Sequence, residues 1–116
     1  MKNHYDASLE IMTSKTLIHL GFPTYLKGYE YMRRAVIEAY HSPELTTYIT
    51  KTLFPRVSRL CGHVSVSSVS RGCRHAIEYA SDFGLLRDFL HTPNTDAYPS
   101  SALVISSIAK HLHSSN

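Results

Sequence analysis

The residues best suited to chemistry lie in one stretch, Val64 to Phe83, which reads VSVSSVSRGCRHAIEYASDF. At about 100° per residue, Val69, Cys73, Ala76, Ala80 and Phe83 form one stripe of a helix, and Ser67, Ser70, Arg71, Arg74, Glu78 and Ser81 the opposite one. The first stripe is mainly apolar and packs. The second opens with hydroxyls and two guanidinium groups near the helix N-terminus, where the positive end of the macrodipole and free backbone N–H groups also point. Such a surface suits phosphate oxygens and the edges of bases.

Charge supports a polyanion partner. The net charge is only +3, but no acid lies between Glu44 and Glu78, where Lys51, Arg56, Arg59, Arg71 and Arg74 gather. The remaining seven basic residues are outweighed by nine acidic ones. A basic block of this kind is either a plain solvated face or a nucleic-acid footprint. Lys51, Arg56, Arg59 and Ser65 are the candidates for phosphate, and Ser67, Ser70, Arg71 and Arg74 for the bases.

Competing chemistries find less support. Cys61, His63, Cys73 and His75 repeat a C-x-H spacing that could suggest zinc. Residues two apart on a helix point about 160° from each other, so Cys73 and His75 cannot reach one ion. Cys73, on the packed stripe, reads as a small core side chain. No G-x-S-x-G elbow and no phosphate-cradling glycine loop occurs, so neither an enzyme nor a cofactor is expected. The longest aliphatic run, Ala102 to Ile105, is far below the roughly 18 residues a membrane span requires, and the two cysteines form no disulfide framework. A single domain over residues 1–116, working in a reducing cytoplasm at the nucleoid, is expected.

The elements that must position this stretch follow from caps and periodicity. Asp6 caps a first helix, 7–20, with Leu9, Met12, Leu17 and Leu20 inward, and Gly21 ends it. Thr24 caps a second, with Leu26, Tyr29, Met32, Val36 and Tyr40 inward; Gly28 within it marks a close helix contact. Ser42, Pro43 and Glu44 start a third that runs to about Phe54, burying Leu45, Tyr48, Ile49, Thr52 and Leu53. Pro55 starts a short fourth, with Val57 and Leu60 on one side and Arg56 and Arg59 on the other, and Gly62 stops it. A short helix, a tight glycine-containing connection and a longer amphipathic helix make a helix-turn-helix. Gly72, Ala76 and Ala80 would let the preceding helix cross closely. Beyond Gly84, LLRDFL packs Leu85, Leu86 and Phe89, and HTPNTDAYP is a loop. A last helix begins at Pro99 and buries Ile105, Ile108, Ala109 and Leu112, with Ser114 to Asn116 frayed.

Three motifs in order carry a resemblance: Gly21 and Pro23 with Lys27, Gly28 and Tyr29; the ITKTLFP run from Ile49 to Pro55; and RHAIE from Arg74 to Glu78. With them the chain, from about Leu9 to Leu112, resembles the C-terminal DNA-binding effector domain of the master sporulation response regulator of endospore-forming Firmicutes. That resemblance implies an all-α fold, a six-helix orthogonal bundle containing a helix-turn-helix at about residues 55–82. It implies double-stranded DNA as partner, head-to-tail homodimers on tandem boxes, and a contact with RNA polymerase. By position, Arg71, Arg74 and His75 match residues the family uses at bases and phosphates. Ser68 and Ser70 stand where the family usually has arginine and glutamate, which discriminate G·C pairs, so the family's box does not transfer directly. Gly72 replaces an alanine. A protein-interaction or antagonist module that keeps the fold is the alternative reading. The receiver domain of the full regulator has no counterpart in these helical patterns, which fits either a fragment of a longer chain or a free-standing effector.

Overall fold

Helix α2 (Lys27–His41) is the hub of the computed structural model, which describes residues 7–92 and 97–115. Around it pack α1 (Ala7–Leu20), a 3-10 turn (Pro43–Thr46), α3 (Leu53–Leu60), α4 (Val66–Phe83) and α6 (Ser101–Ser114), while α5 (Leu86–Leu90) contacts α4. The described residues contain no strand, and none of their helices is long and apolar enough to cross a membrane. The fold is all-α, as expected.

Gly21 ends α1 as its sequence requires. Its φ is +98°, its N–H reaches the Ile18 carbonyl at 3.0 Å, and Phe22 N–H reaches Leu17 at 3.0 Å. Phe22 and Leu17 are both buried, completing a Schellman stop with its hydrophobic contact. Asp6, the expected cap, lies outside the described residues. The N-cap of α2 is Leu26, without a side-chain hydrogen bond, rather than Thr24, which lies in the preceding turn. Met32 and Val36 are buried as expected, while Leu26, Tyr29 and Tyr40 are half-buried. Tyr31, Ala35, Ile37 and Ala39 join the core because α2 has neighbours on several sides, which one stripe could not serve.

The third helix expected to Phe54 is instead the 3-10 turn followed by further turns through Thr52. Thr46, Thr47, Ile49, Thr50 and Thr52 are β-branched and poor helix formers. The threonine hydroxyls also divert backbone carbonyls: Thr46 Oγ1 donates to Pro43 and Thr52 Oγ1 to Leu45 and Tyr48, each at 2.8 Å. Leu45 and Leu53 are buried, but Tyr48 is 68% exposed and Thr52 is exposed. The short fourth helix therefore begins at Leu53 and takes Pro55 into its first turn, where no intrahelical N–H is needed. Val57 is buried; Leu60, at its end, is 51% exposed.

Gly28 is the close contact, and its partner is Gly72 of α4. A Cβ on Gly28 would overlap the Gly72 carbonyl oxygen, and one on Gly72 would lie 2.7 Å from the Tyr31 ring. The small residues of α4 thus admit α2 rather than the preceding α3. Ser100 caps α6 by accepting from Leu103 N–H at 3.2 Å, with Pro99 just before the cap. Val104, Ile105, Ile108, Ala109 and Leu112 are buried. The helix persists to Ser114, beyond the expected fraying point, and Asn116 lies outside the described residues. In the loop before it, residues 93–96 also lie outside them. Leu86 is buried and Phe89 half-buried, but Leu85 is exposed.

Candidate nucleic-acid interface

The turn between α3 and α4 is built from the backbone outward. Gly62 and His63 have φ of +85° and +61°, the left-handed region that reverses a chain sharply. His63 N–H reaches the Ser58 carbonyl at 2.8 Å, and Ser58 Oγ donates to the Val64 carbonyl, tying the end of α3 to the start of the next helix. Ser65 then caps α4: its Oγ accepts from Ser68 N–H at 3.0 Å and donates to Ser68 Oγ at 2.9 Å. The Ser65 hydroxyl is thus used as both acceptor and donor at the helix end before any ligand, while Ser68 Oγ accepts from it.

Four of the expected base-reading side chains come together. Ser67, Ser70, Arg71 and Arg74 line one concavity of about 260 Å³ at the head of α4, with Thr50 and Val66 as its other walls. Arg71 and Arg74 are exposed, and among the described residues neither has an ion-pair partner. His75, although exposed, does not line this concavity. Thr50 and Val66 were missed in the sequence. Periodicity places Thr50 inside the expected third helix and gives Val66 no role; the turns after Thr46 bring Thr50 to α4.

The phosphate candidates divide. Lys51 and Arg59 are exposed and lack a carboxylate partner among the described residues. Arg56 instead places its guanidinium 3.4 Å from Glu38 of α2. Elsewhere Arg33 bridges Glu10 and Glu30, and the hydrogen bonds it donates to Glu30 lead in holding its guanidinium charged well beyond the usual range. Arg34 lies 4.0 Å from the same Glu10.

Cys73 is fully buried, as its stripe requires, and burial pushes its thiol up to about 12. Among the described residues, no three His, Cys, Asp or Glu side chains are grouped so as to hold a metal ion. The C-terminal half of α4 departs from the expected stripes. Ser81 is 7% exposed with its Oγ unpartnered among the described residues, and Phe83 is 76% exposed. Burial follows Cys73, Ile77 and Ala80, which carries Ser81 inward on the Ile77 edge and leaves Phe83 on the other. Tyr79 and Phe83 stack obliquely at 4.9 Å between ring centroids on that outer edge.

The site is thus a positively charged, hydroxyl-rich concavity at the N-terminal half of a helix held by a tight turn, with the exposed Lys51 and Arg59 on the elements before it. Such an arrangement can donate to phosphates and to acceptors on base edges. A family model described as "Sporulation initiation factor Spo0A C terminal" matches residues 13–112 of the chain.

Proposed function

The chain belongs to the sporulation initiation factor Spo0A C-terminal family, a family of DNA-binding effector domains and not of enzymes, and from that premise we propose a sequence-specific regulator of transcription. In this reading α4 lies in the major groove and places Ser67, Ser70, Arg71 and Arg74 at base edges. Lys51 and Arg59 hold the flanking phosphates; Arg56 contributes less because Glu38 already answers its charge. The observation that carries the reading is the convergence of Arg71 and Arg74, neither paired to a carboxylate among the described residues, with three hydroxyls on one concavity. Two copies on tandem boxes and a contact with RNA polymerase belong to the same proposal, as does work at the nucleoid.

A selection of bound sequences from a random double-stranded DNA pool tests it, with the Arg71→Ala/Arg74→Ala double variant alongside. Wild type enriches one motif and the double variant does not. Enrichment of the same motif by both would remove the arginines from the reading.

One observation favours a second role, a protein-interaction or antagonist module. Tyr25 and Phe83 are each 76% exposed and Tyr79 is partly exposed, so α4 and the loop before α2 leave large aromatic rings on the surface. Exposed aromatics of this kind are typical anchors of protein interfaces. Binding to DNA that does not weaken with salt would favour this role over the first.

A further inference from the structure

The concavity at the head of α4 contains an apolar wall that phosphate binding leaves without a purpose. Val66, the first residue of α4, is half-buried; it packs against the core and also lines the concavity next to Thr50. The other lining side chains are the Ser67 and Ser70 hydroxyls and the Arg71 and Arg74 guanidinium groups, with no carboxylate among them. Guanidinium groups only donate, so they match the acceptors of the major groove: guanine O6 and N7, adenine N7 and thymine O4. The amino groups of cytosine and adenine would find only hydroxyl oxygens, and the Ser68 hydroxyl is already engaged with Ser65. Base edges in the major groove carry one apolar group, the C5-methyl of thymine. A branched apolar side chain surrounded by donors has that single apolar counterpart there.

We propose that Val66 and Thr50 form a seat for the C5-methyl group of thymine, so that the preferred box carries a thymine facing the first turn of α4. Val66 and Thr50 are then specificity-determining residues beside the arginines. The inference rests on the major-groove reading given above.

Deoxyuridine removes only the methyl group and keeps the thymine hydrogen bonds, which isolates the contact. Affinity is measured for the selected box with each thymine replaced in turn by deoxyuridine, using wild type, Val66→Ala and Thr50→Ser. At one position, deoxyuridine weakens wild type roughly fourfold, the affinity equivalent of one methyl group leaving water. Both variants lose less at that position. Thr50→Ser removes a methyl from an exposed side chain, so its result stands even where Val66→Ala loosens the core. Unchanged affinity for every deoxyuridine box, with the box still preferred over random DNA, overturns the seat and leaves the major-groove reading in place. A loss that both variants retain in full also overturns it, by putting the methyl elsewhere on the protein. A pool that yields no enriched box overturns the major-groove reading itself, and the seat with it.

Discussion

Arg71 and Arg74 differ from the other arginines in what surrounds them, and that difference sets what their removal does. Arg33 joins α1 to α2 through Glu10, so its loss is structural; Arg71 and Arg74 touch no carboxylate among the described residues. Replacing either by Ala should cost about 1 to 3 kcal/mol of binding at the preferred box and leave helical circular dichroism unchanged. A drop in helicity would give them a structural role instead. Cys73 makes the opposite prediction, with no effect on binding and a clear one on folding. Its folded thiol keeps its proton to about 12, whereas the unfolded thiol releases it near the ordinary 9.0. Below 9.0 both states hold the proton and the fold is undisturbed; above it the unfolded chain is favoured, so stability falls as pH rises through that window. Denaturant titrations at several alkaline pH values should show this fall in wild type and a smaller one in Cys73→Ala.

Helix α4 depends on two local devices, its cap and its narrow crossing with α2. Ser65→Ala removes the hydroxyl that satisfies Ser68 N–H and should cost about 1 kcal/mol of stability. It also removes the donor to Ser68 Oγ, so the preferred box should change at the position Ser68 then reaches; an identical box would mean that Ser68 reads nothing in either state. At the crossing, Gly28→Ala improves helix propensity by about 1 kcal/mol but drives a methyl into the Gly72 carbonyl. The clash should prevail, with a net loss of about 1 to 3 kcal/mol measured by thermal unfolding, because backbone on both sides cannot yield as a side chain can. A stabilised Gly28→Ala variant would show that the two helices separate at little cost.

Across the whole molecule the charge is sorted by the fold. Glu10, Glu30 and Glu38 answer Arg33, Arg34 and Arg56, which leaves Lys51, Arg59, Arg71 and Arg74 as the unpaired cations of the basic block among the described residues. If Lys51 and Arg59 neutralise phosphates while Arg71 and Arg74 meet base edges, log affinity should fall against log salt with a slope of about −2. Replacing Lys51 or Arg59 by Ala should reduce that slope by about 1 and weaken all sequences alike, with Arg56→Ala changing it less. A slope near zero would remove the electrostatic basis of the proposed interface.

Short-range physics made much of this protein legible in its sequence. The period of Leu9, Leu17 and Leu20, the stop at Gly21, the inward Cys73 and the unobstructed Arg71 and Arg74 depend on neighbours within a few turns, whose geometry is common to all helices. What tertiary structure decided involves residues distant in the chain. Glu38 reaches Arg56 across 18 positions, Gly28 admits Gly72 rather than a neighbouring helix, and the turns after Thr46 bring Thr50 to the first turn of α4. Ser81 is inward and Phe83 outward because burial depends on which helix lies opposite, and a helical wheel contains only the helix itself.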